Sequence, residues 1–395
     1  MDTPSPGPAG SSPCATWCWP GRSGDRSGLG GPGEPGVATS PPARGAVAQD
    51  IEPIPAMTQP RRSDKDATGP GKGRTTLSLV LEHGGPLVAL AAVVGLFMAL
   101  EPSFRNVANW QNIGRQMAVV AILAAGETFV IVAGGIDLSV GSVVALSGVL
   151  SALAMKALGV PDPLVVPMGI CVGLGTGALV GALSGVITEL AGIPSFVVTL
   201  GMLGVAAGAA KIASGGVGVS GIPDAFDWLA AKSIPIGPTI AIPTAAIVTI
   251  LVIVVGQIVL SRTRFGRSVY ALGGNREAAR LSGVPTRRIS IMTFVISGGL
   301  AGLAGIMAVS RIGSAQPTAG EGYELNAIAA AVIGGTSLMG GEGSVLGSFV
   351  GALIMAVIAT GLDHMMVSQF IQEVVIGGMI IVAVIVDKLR RTVAT

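Results

Sequence analysis

The chain has 395 residues, half of them hydrophobic and only 12% charged, with a formal net charge of +2. A soluble domain averages about 25% charged residues, so too few charges remain here to coat a globular surface. The composition excludes an ordinary water-soluble domain and points to a membrane protein.

Residues 1–80 form a Pro-, Gly- and Ser-rich tail that cannot bury a core and is expected to be disordered. The tail lacks the apolar centre of a signal peptide. Met57 lies just upstream of a basic segment, so residues 1–56 are a candidate mis-called start; a Met1–Ala56 peptide in the purified protein would refute that. Cys14 and Cys18 stand as C-x3-C without a second pair, a poor zinc or disulfide signal. Cys171 reads as a small apolar residue within a span. The stretch "GPGKGRTT" from Gly69 glances at a phosphate-binding loop, but Gly73 stands where a hydroxyl is needed. Any ATP hydrolysis must come from a partner.

Residues 81–395 make the transmembrane domain. Uncharged apolar runs of roughly 17–25 residues mark spans. Ten are predicted, near Gly85–Leu100, Gln116–Gly134, Val140–Leu158, Pro163–Thr188, Pro194–Ile212, Gly237–Ser261, Ile289–Ser310, Leu325–Gly341, Gly343–Leu362 and Gln369–Val386. The eighth is short and glycine-interrupted. The runs are continuous and too long for barrel strands, so the expected class is an all-α polytopic bundle. Arg105 and Arg115 are assigned to a short interfacial helix with Trp110.

Glycine supplies 60 residues. Gly173, Gly177, Gly181 and Gly185 recur every fourth residue, which lets a neighbouring backbone approach closely. Gly343, Gly347 and Gly351 repeat the spacing, as do Gly204 and Gly208. Tight packing within the chain is favoured over a dimer seam for all three.

Acids within spans are few. Glu127 lies mid-span, where a carboxylate costs roughly 2.5–3.5 kcal/mol on insertion scales. It needs a cavity or a hydrogen-bond partner, and a pathway wall and a packing contact are both open. Asp137 lies in "AGGIDLSVGS", between the second and third spans. It can cap the third helix near the inner face, gate a pathway, or both. A "GG" followed by "GS" recurs at Gly334–Ser344 on the same predicted side, so the two are not an inverted pair; glycine richness accounts for the likeness. His83 and His364 lie at predicted membrane edges, where a lone histidine is usually just solvated.

The loop 262–288 holds seven arginines and one acid, Glu277. With the basic residues before the first span and at the C-terminus, it is placed in the cytoplasm, together with both termini, by the positive-inside rule. Gly273 and Gly274 are read as a turn and Asn275 as a helix cap. "REAARLSG" is then a short helix stopped by Gly283 and Pro285. Ala278 and Ala279 give it a small flat face that suits a groove on another protein; attraction to anionic lipid is the alternative.

Glu277-Ala278-Ala279 followed by Gly283 resembles the E-A-A-x-x-x-G coupling motif of ABC importer permeases, without the downstream Leu-Pro of its longest form. "GGIDLSVGS", "YALGGNREAARLSGV" and "SAQPTAGEGYELNAIAAAVIGGTSLMGGEGSVLGSFVGALI" resemble stretches of ribose-type sugar permeases. The resemblance covers about Glu82 to Arg391. It implies a ten-helix fold of the vitamin B12-importer (type II) kind in a bacterial inner membrane. It also implies a second permease chain making a homodimer, a cytoplasmic ATPase docked on Gly273, Gly274, Asn275, Glu277, Ala278, Ala279, Arg280 and Gly283, and an extracytoplasmic sugar-binding protein. No cofactor is expected on this chain; ATP and magnesium belong to the ATPase. The substrate would be a monosaccharide or related polyol, with nucleosides or branched-chain amino acids as alternatives within the class. An ion-coupled secondary transporter is the alternative outside it. Candidate pathway residues are Glu127, Gly134, Gly135, Asp137, Ser139, Ser195, Thr199, Gln316 and Tyr323, chosen for polarity near glycine-broken segments.

Overall fold

Continuous apolar runs can satisfy their backbone inside a bilayer only as helices or closed barrels, and helices are what form. The computed structural model describes residues 76–158, 162–237 and 241–394, with side chains over 84–157, 163–237 and 241–385. The expectations for the Met57 start, Cys14, Cys18 and "GPGKG" lie outside the described residues. Along the chain run α1 (Thr76–Leu100), α2 (Val107–Val132), α3 (Val140–Leu158), α4 (Asp162–Ala191), α5 (Ser195–Ser214) and α6 (Thr244–Arg262). They are followed by α7 (Arg264–Gly274), α8 (Arg276–Leu281), α9 (Thr286–Ile312), α10 (Tyr323–Ile333), α11 (Val345–His364) and α12 (Gln369–Ala394). Seven of the described helices are long and apolar enough to cross a membrane: α2, α3, α4, α5, α6, α9 and α11. Shorter apolar stretches occur in α1, α10 and α12.

Two spans differ from expectation. The sixth helix starts at Thr244, because the segment before it forms a small antiparallel pair, β1 (Ser233–Pro235) with β2 (Ala241–Pro243), Ile234 facing Ile242. Proline at both strands suits a sheet edge and withholds the donors a helix interior needs. The eighth is an 11-residue helix, α10, stopped at Gly334–Gly335. At 1.5 Å per residue it covers about 16 Å, roughly half a hydrocarbon layer. The interfacial helix is also corrected. Arg105 ends a 3-10 turn, Pro102–Arg105, and binds the Met98 carbonyl, whereas Trp110 and Arg115 belong to α2.

Helix α9 is the axis of the bundle, packed against α2, α3 and α4. Its seam with α4 is backbone on backbone. A Cβ at Gly177 would overlap the Gly298 carbonyl, and one at Gly181 the Phe294 carbonyl. The four-residue glycine spacing of α4 therefore works as read. Gly347 and Gly351 likewise pack on Gly334 and Ala330, but Gly343 precedes α11. Gly204 and Gly208 depart from expectation: nothing in the chain lies within 4 Å of a Cβ built there. The α5 stripe faces outward with Leu200 and Val205, which are 55% and 64% exposed.

At the opposite end of α2 from its glycines, His364 is held by hydrogen bonds to Asn109 (2.9 Å) and Ser103 (3.1 Å), rather than simply solvated.

Candidate functional site

The glycines of "GGIDLSVGS" end α2 and reverse the chain. Gly134 takes φ +86, a conformation few side chains tolerate, and Gly135 N donates back to the Val130 carbonyl at 2.9 Å. Residues 136–139 then run back beside α2 as non-helical chain until α3 begins. In an apolar layer each unpartnered amide would cost several kcal/mol. Here four consecutive amides find four different side chains. Ile136 N donates to Ser195 Oγ (3.0 Å), Asp137 N to Glu127 Oε1 (3.0 Å), Leu138 N to Thr199 Oγ1 (3.1 Å) and Ser139 N to Asp137 Oδ1 (3.0 Å).

Asp137 and Glu127 are both fully buried. Asp137 Oδ1 also accepts from Ser139 Oγ at 2.6 Å, and its Oδ2 accepts from Ser297 Oγ on α9 at 3.1 Å. The second oxygen of Glu127, Oε2, has no partner among the described residues. The junction therefore joins α2, α5 and α9 through the start of α3.

Its depth differs from expectation. Asp137 lies beside Glu127, five residues before the end of α2, or about 7 Å inward from that end. The glycine reversal and the three neighbouring acceptors draw the segment into the bundle. Asp137 braces the residue before α3 in an Asx turn instead of capping the helix itself.

Of the sequence-predicted pathway residues, Glu127, Gly134, Gly135, Asp137, Ser139, Ser195 and Thr199 come together here. Gln316 does not: it is exposed, beside an isolated bridge between Val219 and Ala315, and donates to Ser314. Tyr323 opens α10 and rests against the main core cluster.

The second "GG…GS" segment packs against the first. Gly341 N donates to the Val132 carbonyl at 2.9 Å, and Gly340, at φ +83, lies against Gly134 and Gly273. Gly273 has no room for a side chain, since a Cβ there would overlap the Val132 carbonyl. Three glycine segments, from the ends of α2 and α7 and from the loop after α10, thus meet backbone to backbone. Tyr270 of α7 adds a hydrogen bond to the Gly343 carbonyl at 2.6 Å.

The segment after α7 folds largely as read, with two corrections. Gly273 and Gly274 finish α7 instead of forming a separate turn. Asn275 Oδ1 accepts from Ala278 N at 2.9 Å, so it caps α8, and Gly283 takes φ +83 just after that helix. Glu277 and Arg280 pair at 2.7 Å on the exposed side, and the guanidinium holds the Glu277 carboxyl below the usual carboxylate range. Ala278 is exposed but Ala279 is only 5% exposed. The two alanines do not form one flat face: Ala279 seats α8 on its own chain, and Ala278 points away.

Sequence reading missed Ser297, Gly340, Gly341, and the ion pair of Arg276 with Glu189 at 2.5 Å. Glu189 carries a signal, an acid just beyond the fourth apolar run, which ends at Thr188. Ser297 carried none.

A polytopic helical bundle with a buried re-entrant junction and a short capped helix outside it defines a membrane transport subunit. A family model described as branched-chain amino acid transport system / permease component matches residues 109–384, and the chain belongs to that family of ABC importer permeases. It is the permease component, and such permeases work with a separate ATPase and a binding protein. Membership of this class sets the ion-coupled alternative aside.

Among characterised relatives, the ribose import permease protein RbsC of Escherichia coli (strain K12) is 40% identical over 309 residues, covering 77% of this chain and 93% of that one. RbsC of Bacillus subtilis (strain 168) is 39% identical over 309 residues, 78% of this chain and 94% of that one. The D-allose transport system permease protein AlsC of Escherichia coli (strain K12) is 39% identical over 315 residues, 79% and 93%. The likeness to ribose-type permeases read from the motifs therefore extends over most of the chain. No solved structure matches it.

Proposed function

We propose that this permease imports a monosaccharide of the ribose or allose kind by alternating access. The carrying observation is that relatives matched over more than nine-tenths of their length are named for ribose and D-allose import. The family description mentions branched-chain amino acids, so these form the second reading. Uptake of labelled ribose, allose and leucine into proteoliposomes holding the permease, its ATPase and its binding protein separates the two. Leucine uptake without sugar uptake would overturn the sugar assignment.

In this reading the arginine-rich α7–α8 end faces the cytoplasm of a bacterial cell, with both termini on the same side. ATP and magnesium bind the partner ATPase, which docks on residues 273–283 with Ala278 toward it. Two copies of the chain pair, and the outward glycine stripe of α5 suits close approach of the second copy. The Glu127–Asp137 junction with Gly134, Gly135, Ser139, Ser195 and Thr199 borders the pathway and changes shape as the bundle rocks. Gln316 and Tyr323 serve the other end of the pathway. Ala278→Arg tests the docking role: the folded permease should lose its ATPase on co-purification, and full retention would count against it.

A further inference from the structure

Arg276 is the first residue of α8, and its guanidinium Nη2 meets Glu189 Oε2 at 2.5 Å. The pair is lopsided. The Arg276 side chain is 56% exposed, whereas that of Glu189 is 2% exposed near the end of α4. Glu189 sits six residues before Ser195, across a short turn at Gly192, Ile193 and Pro194. Ser195 and Thr199 on α5 then hold the Ile136 and Leu138 amides of the junction. The ion pair, the turn of chain after α4 and these two hydrogen bonds thus connect the exposed helix with the buried re-entrant segment.

The ground around the pair is not filled. A cavity of about 440 Å³ is lined by Gly134, Thr188, Glu189, Ser195, Arg276 and Ser290. The second carboxylate oxygen, Glu189 Oε1, and the Thr188 hydroxyl are buried without a partner among the described residues. A carboxylate can accept a guanidinium through both oxygens. Only one is engaged here, and the half-exposed Arg276 side chain borders the cavity, so it has room to move relative to Glu189.

We propose that Arg276 and Glu189 are positioning residues that tie α8 to the α4–α5 turn, so that displacement of α8 is delivered to Ser195 and Thr199 and thence to the junction. The proposal rests on the reading of residues 273–283 as the ATPase docking segment. The cavity is the room into which α8 moves, and the free Glu189 oxygen is the contact it completes. Glycine contact at Gly273 joins the same end of the chain to α2, so the tether supplies a second, separate attachment on the α4–α5 side.

The test measures ribose uptake and ATP hydrolysis together in proteoliposomes containing the permease, its ATPase and its binding protein. Glu189→Gln, outside the docking segment, should keep ATP hydrolysis within about two-fold of the parent while uptake falls about five- to ten-fold, the size expected for removing one coupling element; Arg276→Gln, within that segment, should lower sugar moved per ATP hydrolysed by the same factor. The double variant should be no worse than either single one, because both remove the same link. Arg276→Lys should retain most uptake. Uptake and hydrolysis falling in proportion, or neither changing, would overturn the tether. Arg276 is largely exposed, so its variant remains informative even where Glu189→Gln misfolds. Ala278→Arg separates the two levels of the argument. If it leaves ATPase retention unchanged, the docking reading fails and takes the tether with it. If it strips the ATPase while Glu189→Gln leaves ATP per sugar unchanged, the tether alone fails.

Discussion

The amide of Asp137 donates to Glu127 Oε1 at 3.0 Å, so the acid buried in α2 serves as acceptor for the chain that has just left that helix. A carboxylate that is costly in a bilayer is placed where a broken helix needs an acceptor. Glu127→Gln keeps a carbonyl at that position and should retain the fold. Glu127→Leu leaves the Asp137 amide unpaired, and a buried unsatisfied donor costs about 1–3 kcal/mol. Thermal unfolding of the two variants in detergent should show a lowered midpoint for leucine alone.

The same reasoning applies across α5. Ser195→Ala and Thr199→Val each orphan one amide, at Ile136 and Leu138. Each should destabilise by about 1–3 kcal/mol. Hydrogen exchange should rise at residues 136–139 in both variants and not along α6.

Asp137 accepts from Ser139 N, Ser139 Oγ and Ser297 Oγ. Asparagine can keep the first two through its oxygen and donate to Ser297 through its amide nitrogen. Asp137→Asn should therefore unfold at the parent temperature, while Asp137→Ala loses about 1–3 kcal/mol. If the charge gates the pathway, the asparagine variant loses ribose uptake despite its intact fold. Uptake at the parent rate would reduce Asp137 to a brace.

Sequence reading reached the junction because its residues break local rules in plain view. A glycine pair, an aspartate and a serine stand out against an apolar background. Their acceptors Ser195 and Thr199 were found by polarity alone. Depth was not legible, because it depends on which way Gly134 turns the chain. The recurrence at Gly334–Ser344 reads as glycine richness, yet Gly340 and Gly341 rest on Gly134 and Val132. No local pattern announces a contact between segments two hundred residues apart. Arg276 and Glu189 were lost for the same reason, and Ala279 because a six-residue helix does not reveal which side is buried.

The glycines of α4 and α5 share a spacing but not surroundings, and this gives a further prediction. Gly177→Ala places a methyl against the Gly298 carbonyl, whereas Gly204→Ala meets nothing within 4 Å in its own chain. The first should destabilise by about 1–3 kcal/mol through overpacking. The second should leave the melting temperature of the isolated chain unchanged. If a second copy covers α5, crosslinking or mass photometry should find the Gly204→Leu dimer weakened.

The hydrogen bond from Gly341 to the Val132 carbonyl also bears on biogenesis. The ribosome makes residue 132 long before residue 341, so α2 and α3 must enter the bilayer with this contact still missing. The α2–α3 pair is closed by a segment translated about two hundred residues later. A nascent chain halted before Gly340 would hold the helices of the junction but not its lock.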